Sequence, residues 1–478
     1  MNRSLIVFVA VLAIGTILIV SILWPTVARA QSIEWDACPR LVATLSAAQT
    51  DCGWLDTGEP LQGQPVRLRF AILRARPDRK DAYPVVYVPG GPGESAGVDA
   101  PALTRWQRWQ QQAGWPHDIV LFDPRGTGES QPRPRCAPDT SLPWRAPASA
   151  RADNAFAREA IITRQCLARL GKSGMQALGP AAQLRDIAAL LTGLGVTRAS
   201  LWGVSYGTRI ARLFARRYPA QVDTLVLDSI VPFDQNELAA LPLQIDSAIT
   251  QLDRTCRAAG ACPMANPRAA VGALLKRFDA QPAVVALVGY DNLPLLFEIT
   301  PYRLLLMLLF AAYDSDQTAD TRIRLERALR GQTAALMPLA ARVAAQASSR
   351  GHSTPVFWAT RCALYVDGPE AARAWQKALS QAPMIAPYIE QAPQASVCED
   401  WPLPRYQADP RALPDRPILV VAGTDDVLTP ARASQAFARA RPSARWAPIA
   451  GAGHAPTLSQ PQAQGVVAEF LRERSRQD

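Results

Sequence analysis

Histidine is scarce in this sequence of 478 residues, which contains only His117, His352 and His454. No two of these histidines lie close together and no Cys-x-x-Cys pair occurs, so the spacing typical of zinc sites is missing. Clusters of Lys and Arg interleaved with aromatic residues, which are typical of nucleic-acid binding, are missing too. We therefore expect no metal, no cofactor and no nucleic-acid partner.

Internal repeats and long low-complexity tracts are also absent, and 19% of the residues are charged whereas 49% are hydrophobic. This composition excludes a disordered or fibrous protein and predicts one large domain with an insertion, or two domains. The net charge is +10, but the arginines are scattered among Ala, Pro and Asp residues. We interpret this excess as a solvated basic surface, with an anionic partner as the alternative. The composition does not indicate an oligomeric state.

Residues 1–30 have the pattern of an export signal. A basic residue, Arg3, precedes the apolar run Leu5–Trp24, and the small residues of Ala28–Ala30 offer a cleavage site before Gln31. The apolar run is also long enough to span a bilayer, so an uncleaved N-terminal anchor is the alternative. In either case we expect the rest of the chain to lie outside the cytoplasm, in the periplasm or secreted.

Eight cysteines occur in sequence-ordered pairs, which agrees with an oxidising compartment. Joining neighbours would form four disulfides: Cys38–Cys52, Cys136–Cys166, Cys256–Cys262 and Cys362–Cys398. Because eight cysteines allow about 105 pairings, this connectivity is a hypothesis.

Short apolar runs alternate with helical patterns along much of the chain. The runs are typical of strands buried in a parallel sheet and occupy residues 83–88, 118–123, 199–204, 223–228, 417–423 and 444–451. Helical patterns follow at residues 181–195, 209–219 and 431–442. This alternation predicts an α/β fold with a mostly parallel sheet flanked by helices.

The middle of the chain, residues 232–404, has a mainly helical pattern with few strand signals. We interpret it as a helical cap inserted into a core that consists of residues 31–231 and 405–478. Within the cap, the apolar run at residues 302–313 is too short to cross a membrane. It is either a buried helix or one wall of an apolar substrate pocket.

The sequence Gly203-Val204-Ser205-Tyr206-Gly207 lies between a predicted strand and a predicted helix. A G-x-S-x-G motif in this context is typical of a nucleophile elbow, a sharp turn that lifts the serine hydroxyl above the sheet. The glycines are needed because larger side chains would collide with the neighbouring strand and helix. The alternative is a turn with a bystander serine.

A serine needs a base, and the base needs a carboxylate that fixes its tautomer. His454, in the loop sequence GAGHAP, is the predicted base, because His117 begins a strand and His352 lies in a polar tract. We favour Asp426 as the acid, with its neighbour Asp425 and Asp228 as alternatives. The chain order Ser, Asp, His is that of α/β-hydrolases.

An early glycine-rich loop follows the first predicted strand of the sheet. Its backbone at Gly91, or at Gly90, could bring an N–H group to a substrate oxygen. The second N–H donor of this oxyanion hole would belong to Tyr206, the residue after the nucleophile. An ordinary Gly/Pro loop is the alternative.

Six motifs taken together, GGPGES, DPRGTGES, GVSYGT, CEDWP, GTDDVLTP and GAGHAP, resemble a known family. They are similar to the exported tripeptidyl and prolyl aminopeptidase-like branch of the α/β-hydrolases, peptidase family S33, over roughly residues 35–475. The resemblance implies a helical cap, a triad of Ser205, Asp426 and His454, no metal, and release of N-terminal residues from peptides. It places the acid of the motif G-x-x-D-x-x-T-P on Asp426.

The sequence departs from this family at two positions. Pro89 stands where many relatives have a histidine, and Leu364 stands where relatives often have an acidic residue near the site of the substrate's amine. A buried ammonium group without a carboxylate partner is strongly disfavoured. The carboxylates that could replace the missing one are Glu94, Asp367, Glu399 and Asp400; the alternative is that each is an ordinary surface residue.

Three functions are consistent with these patterns. The first is an exported exopeptidase that acts on free N-termini and releases proline or short peptides. The second is an esterase or amidase on the same scaffold, and the third is a non-catalytic binding protein that kept the fold. The first two would act on a peptide or a small acyl substrate through a covalent acyl-enzyme.

Overall fold

The computed structural model describes residues 31–39, 50–75, 83–134, 152–233, 237–258, 266–288, 294–348, 351–364, 369–389, 398, 406 and 412–475. Residues 1–30, to which we assign the export signal or anchor, lie outside this set. Along the helices within these ranges, no stretch combines the length and the apolar character that crossing a bilayer requires.

Eleven strands form two sheets in the described residues. They are β1 (Ser32–Asp36), β2 (Thr50–Leu61), β3 (Gln64–Leu73), β4 (Val85–Val88), β5 (Ile119–Phe122), β6 (Ala199–Val204), β7 (Val222–Asp228), β8 (Ala283–Val288), β9 (Pro294–Ile299), β10 (Ile418–Gly423) and β11 (Ala444–Ile449). The large sheet has the order β1-β2-β3-β5-β4-β6-β7-β10-β11, and β8 pairs with β9. The strands from β5 to β11 in this order are parallel, whereas β1, β2 and β3 pair antiparallel. The predicted α/β fold with a mostly parallel sheet is therefore confirmed.

Helices cover both faces of the large sheet and fill the middle of the chain. The α-helices in the described ranges are α1 (Ala100–Ala113), α2 (Ala152–Leu178), α3 (Pro180–Gly193), α4 (Tyr206–Arg217), α5 (Glu237–Ala258), α6 (Pro267–Ala280), α7 (Pro301–Ala311), α8 (Thr318–Leu329), α9 (Met337–Ser348), α10 (Thr354–Leu364), α11 (Pro369–Gln381), α12 (Ala386–Ile389), α13 (Ala431–Arg439), α14 (Pro456–Ser459) and α15 (Pro461–Ser475). Non-helical backbone at Gly171 interrupts α2. Short 3-10 turns occupy Pro219–Gln221, Ser315–Gln317 and Thr333–Leu336.

The central strands are mainly apolar because they are buried on both faces. Every residue of β4, β5, β6, β7 and β10 is buried. Apolar side chains of α3 and α4, such as Ile187 and Phe214, pack on one face. Those of α1 and α15, such as Leu103 and Val467, pack on the other. The edge strand β11 is more exposed and contains Pro448, which edge strands tolerate.

The antiparallel strands β1, β2 and β3 were not predicted from the sequence. In β2 buried and partly buried residues alternate along much of the strand, a period-two pattern that a search for unbroken apolar runs passes over. A disulfide between Cys38 and Cys52 joins the chain after β1 to β2. These strands extend the sheet on the side away from β10 and β11.

The chain between the neighbouring strands β7 and β10 makes a long excursion, which we call the insertion (residues 237–389). It contains α5 to α12 and has its own apolar core, formed by side chains such as Leu274, Phe297 and Leu308. Besides its helices the insertion contains an antiparallel hairpin, formed by β8 and β9, which was not among the predicted strands. Their short apolar sequences, AVVALV and PLLFEI, cannot be distinguished from buried helix segments by periodicity alone.

Two of the four predicted disulfides lie among the described residues. They join Cys38 to Cys52 and Cys362 to Cys398. Cys166 is also disulfide-bonded. The remaining predicted pairs involve Cys136, Cys256 and Cys262, whose side chains fall outside the described part of the chain.

Candidate active site

Ser205 lies on a strained turn where β6 ends and α4 begins. Its backbone has φ 53° and ψ −122°, a conformation that non-glycine residues rarely adopt. The glycines of the motif allow this turn: a Cβ on Gly207 would overlap the carbonyl oxygen of Val88, and one on Gly203 would lie 2.6 Å from the carbonyl oxygen of Gly207. The predicted nucleophile is therefore held at the carboxyl edge of the parallel sheet, at the N-terminus of a helix.

Asp426 and His454 form a buried, directed pair. The Nδ1 atom of His454 lies 2.8 Å from Oδ2 of Asp426, and their side chains are 5% and 0% exposed. Thr429 donates to the same carboxylate from its hydroxyl group and its N–H group. Burial acts to raise the pKa of Asp426, but the His454 charge and these hydrogen bonds hold the pKa below its usual value. With Nδ1 directed at the carboxylate, Nε2 of His454 is left to accept a proton.

A network through Asp228 ties the serine turn to the histidine loop. The N–H group of Ser205 donates to the carbonyl oxygen of Asp228 at 2.8 Å. The Asp228 carboxylate accepts hydrogen bonds from the N–H and hydroxyl groups of Thr457. The next residue, Ser229, accepts from the N–H group of Ala455 at 2.9 Å. Ala455 and Thr457, one and three residues after His454, are thus bonded to the C-terminal end of β7, the strand that pairs with the one before the nucleophile.

The three candidate acids have separate partners. Asp426 is the one whose carboxylate bonds to the imidazole. Asp425 forms an ion pair with Arg254 of α5 at 2.8 Å. Asp228 is fully buried on Thr457 and Ser229, and burial raises its pKa to about 6. The sequence order alone could not separate these roles, because all three carboxylates follow strands of the same sheet.

The glycine-rich loop after β4 lies directly over the serine turn. A Cβ built on Gly90 would lie 3.5 Å from the Cβ atom of Ser205. On the other side of the serine, Tyr206 begins α4, and its buried hydroxyl donates to Gln183 at 3.1 Å. The positive end of the α4 dipole and the Gly90–Gly91 backbone therefore border the position where a substrate carbonyl would meet Ser205.

Glu94, one of the four amine-binding candidates, lies at the end of this loop and contacts the insertion. Its Oε1 atom is 2.9 Å from Nδ1 of His352. Backbone hydrogen bonds join Ser95 to Gly351 and Ser353 to Gly93. Asp367, Glu399 and Asp400 lie outside the described residues. No sequence pattern indicated the Glu94–His352 pair, since the two residues lie far apart in the chain.

A small cavity adjoins the loop. Its lining includes Gly90, Glu94 and Tyr206, together with apolar side chains such as Ile187 and Val356. Leu364, at the position where relatives often have an acid, packs against the apolar core instead. The cavity therefore brings one described carboxylate candidate, Glu94, close to the backbone that borders Ser205.

The insertion also contacts the acid and histidine loops. Gln251 of α5 donates to the carbonyl oxygen of Asp425, and Gln244 donates to that of Leu428. The N–H group of His454 donates to the carbonyl oxygen of Tyr313 at 2.9 Å. The acid loop and the histidine loop are thus bonded both to the sheet and to the insertion.

Clusters of metal-ligating side chains are not part of this arrangement: within the ranges given above, no group of three or more His, Cys, Asp or Glu residues is placed to hold a metal ion. What the geometry provides is a strained serine, a histidine oriented by a buried carboxylate, and backbone amides beside the serine. This combination can transfer an acyl group through a covalent intermediate.

Two family models match the chain. One, described as the alpha/beta hydrolase fold, covers residues 83–252, and the other, described as TAP-like protein, covers residues 382–478. The first contains Ser205 and the glycine-rich loop, and the second contains Asp426 and His454.

Several curated proteins are similar to parts of this chain. The putative hydrolase YuaR of Escherichia coli (strain K12) is 28% identical over 262 residues, which is 50% of each chain. Serine protease Hip1 of Mycobacterium tuberculosis is 31% identical over 200 residues, 39% of this chain and 38% of the relative. Tripeptidyl aminopeptidase of Streptomyces lividans is 30% identical over 214 residues, 42% and 38% respectively. The aligned regions span half or less of each relative's length.

Proposed function

Since this chain belongs to the α/β-hydrolase family and has a TAP-like C-terminal region, we propose that it is an exported serine exopeptidase that releases proline or short peptides from free N-termini. The observation that carries the proposal is the buried Asp426–His454 pair, whose loop is bonded to the strand beside Ser205. The similarity to proteins named serine protease and tripeptidyl aminopeptidase supports a peptide as substrate.

The proposed reaction has two halves. The Ser205 hydroxyl oxygen attacks the carbonyl carbon of the scissile bond, and its proton passes to Nε2 of His454. The N–H groups of Gly91 and Tyr206, with Gly90 as the alternative donor, stabilise the oxyanion. When the carbon–nitrogen bond breaks, His454 returns the proton to the leaving amine. Water then attacks the acyl-enzyme with the same base, and Ser205 is restored.

Asp426 acts in this scheme through the imidazole. Its carboxylate keeps the Nδ1 proton in place, so that Nε2 faces the serine as a base, and it stabilises the imidazolium that forms. The lowered pKa of Asp426 means that this carboxylate stays ionised at neutral pH. Asp425 and Asp228 have other partners and are proposed to hold the insertion and the histidine loop, respectively.

Glu94 is the proposed partner of the substrate's free amine. Its carboxylate lies at the end of the glycine-rich loop and lines the cavity there, at 26% side-chain exposure. An ammonium group at this point would replace or join His352 as the partner of Glu94. A free N-terminus would then be required on the acyl side of the carbonyl that Ser205 attacks.

Export is supported by the disulfides Cys38–Cys52 and Cys362–Cys398, which are typical of proteins outside the cytoplasm. Cleavage within Ala28–Ala30 would release the enzyme to the periplasm or medium. Retention of the apolar run would instead leave it anchored.

An esterase or amidase is the second candidate, because Glu94 already has a partner in His352 and position 364 is apolar. A substrate panel separates the two functions: aminoacyl nitroanilides, their N-acetyl derivatives, and nitrophenyl esters of short acids. For an exopeptidase we expect N-acetylation to lower kcat/KM by about a hundredfold, since the carboxylate that meets the amine loses its charge partner. Equal hydrolysis of free and blocked substrates would establish the esterase or amidase instead.

A further inference from the structure

Two aromatic side chains at the end of α7 stand beside the histidine of the site. The rings of Phe310 and Tyr313 are stacked, with centroids 5.5 Å apart and planes 19° apart. The Tyr313 ring meets the His454 imidazole edge to face at 5.2 Å and 82°. Most of α7 is buried in the insertion, but Tyr313 is 37% exposed. The pair therefore offers an aromatic surface next to the imidazole.

The position of Tyr313 relative to His454 is fixed by backbone contacts. Its carbonyl oxygen accepts the N–H group of His454 at 2.9 Å. The same oxygen approaches Gly453 so closely that a Cβ there would lie 2.5 Å from it. A 3-10 turn, Ser315–Gln317, follows at once and is capped by the side chain of Asp314. Tyr313 is thus held beside His454 by the backbone on both sides of the contact.

The two sides of Ser205 meet different parts of a substrate. In the proposed reaction, the oxyanion and the acyl group would lie toward the Gly90–Gly91 loop and Glu94. The leaving group must lie toward His454, because the imidazole gives it a proton as the bond breaks. Tyr313 is in contact with that imidazole, so the leaving group has to pass beside its ring.

We propose that Phe310 and Tyr313 form the subsite for the leaving group and favour leaving groups with an aromatic or large apolar side chain. This inference rests on the proposed hydrolase function and adds the class of leaving group that the enzyme prefers. An aromatic leaving residue can stack on, or meet edge to face, the exposed Tyr313 ring, as aromatic pairs do in protein interiors. A glycine at the same place has no side chain that could pack on the Tyr313 ring.

The test compares leaving groups at constant acyl group. One series consists of peptides with the same free N-terminal part and Phe, Leu or Gly as the first residue after the scissile bond, which belongs to the leaving group. The other consists of phenyl and ethyl esters of one short acid. The variants are Tyr313→Ala, Phe310→Ala and Tyr313→Phe, with Val288→Ala as a control at an exposed residue of the insertion's hairpin.

We expect the wild type to prefer Phe over Gly by about tenfold in kcat/KM, and Tyr313→Ala to lose about three- to tenfold on Phe alone. Phe310→Ala should show a smaller loss of the same kind. Tyr313→Phe and Val288→Ala should keep the preference. The rate at which a small phosphonofluoridate labels Ser205 should stay unchanged in Tyr313→Ala, because fluoride does not use the subsite.

Two results would overturn the subsite. One is an equal loss on Phe and Gly peptides, and the other is slower labelling of Ser205, since each would mean that Tyr313 only supports His454. If the wild type cleaves esters but no free-amine peptide, the exopeptidase proposal fails. The ratio of phenyl to ethyl ester hydrolysis then still decides the subsite, with a loss of this ratio in Tyr313→Ala as the supporting result.

Discussion

The loops at the edge of the large sheet and the insertion above them are built under different constraints. In the sheet loops, backbone atoms leave no room for a side chain at Gly207, where a Cβ would overlap the carbonyl oxygen of Val88. Ser205 is held there at a positive φ. The insertion meets these loops through side chains, such as that of Arg254, and through backbone hydrogen bonds at Tyr313, Gly351 and Ser353. Its apolar core is largely separate from that of the sheet.

This difference suits two tasks: the sheet loops carry out the reaction, and the insertion selects the substrate. Steric constraints that involve only backbone atoms permit few sequences, so the sheet loops carry recognisable motifs. Side chains of the insertion can be substituted without moving the sheet. Such substitutions can change which substrate is accepted while the chemistry stays the same. Variants in the sheet loops should therefore affect every substrate, whereas variants in the insertion should affect some substrates more than others.

The largest effect should come from Ser205→Ala. Removing the nucleophile removes the covalent route, and we expect kcat to fall by about 10⁶-fold for esters and peptides alike. Kinetics on the nitrophenyl ester measure the loss, and circular dichroism with thermal unfolding shows whether the fold is kept. Turnover at the wild-type rate in a folded Ser205→Ala variant would end the proposed mechanism.

Next is a pair of neighbouring acids. Asp426→Asn should lower kcat by about 10⁴-fold, because an amide can hold the imidazole in the wrong tautomer. Asp425→Asn should change kcat by less than about twofold, because its partner Arg254 is largely exposed and such ion pairs contribute little. The two variants differ by one position, so each controls for the other. A larger loss in Asp425→Asn would transfer the role of the acid to that residue.

Gly207→Ala should destabilise the fold. The added Cβ meets two carbonyl oxygens of the backbone, those of Val88 and Pro89, which cannot move aside as a side chain can. We expect a loss of about 3 kcal/mol in the free energy of unfolding, measured by urea denaturation. The control is Gly465→Ala in α15, where no atom lies within 4 Å of the added Cβ. There we expect a gain of up to about 1 kcal/mol, and equal effects at the two glycines would contradict the packing argument.

The contact between the glycine-rich loop and the insertion should show selectivity. Glu94→Gln should raise KM for free-amine substrates by about tenfold and leave the nitrophenyl esters unchanged, because only the amine loses its charge partner. His352→Gln keeps Glu94 and removes the imidazole that competes with the substrate's amine for this carboxylate. KM for the same substrates should therefore stay equal or fall. Steady-state kinetics of both variants on both substrate classes provide the measurement. A uniform loss in Glu94→Gln would indicate that this carboxylate only holds the loop.

The last prediction concerns the pH dependence of stability and Asp228, which links the serine turn to the histidine loop. Burial raises the pKa of Asp228 from 3.8 to about 6. Between these values the folded protein binds a proton that the unfolded chain has released, so the contribution of Asp228 to stability declines as pH rises from about 4 to 6. Asp228→Asn should remove this contribution, which unfolding in urea at several pH values measures. An identical pH slope in wild type and variant would contradict the shifted pKa.

Much of the fold could be predicted from short sequence patterns. The strands β4, β5, β6, β7 and β10 lie where apolar runs predicted them, because strands buried on both faces are mainly apolar. The more exposed edge strand β11 also lies where it was predicted. The strands β2 and β3 were missed since one face of β2 is partly exposed. The hairpin of β8 and β9 was missed because its short runs also suit a helix.

The candidate site was predictable where local geometry demands particular residues. Gly203, Ser205 and Gly207 follow from the turn, and the spacing of the later motif indicated Asp426. The apolar run at residues 302–313 allowed two interpretations, a buried helix or one wall of a substrate pocket. In the structure most of it is the buried helix α7, while its end, at Phe310 and Tyr313, reaches the imidazole. His352 was set aside as part of a polar tract, and nothing local marks it as the partner of Glu94.

The sequence by itself determined the sheet, the serine turn and the identity of the residues available for acyl transfer. These depend on contacts within a few residues or on burial of whole strands, and both leave a pattern along the chain. Tertiary structure alone decided the partners of Asp425 and Asp228, the pairing of Glu94 with His352, and the position of Tyr313 beside the imidazole. Such contacts join residues that are distant in the chain, and their geometry exists only after the sheet and the insertion have packed together.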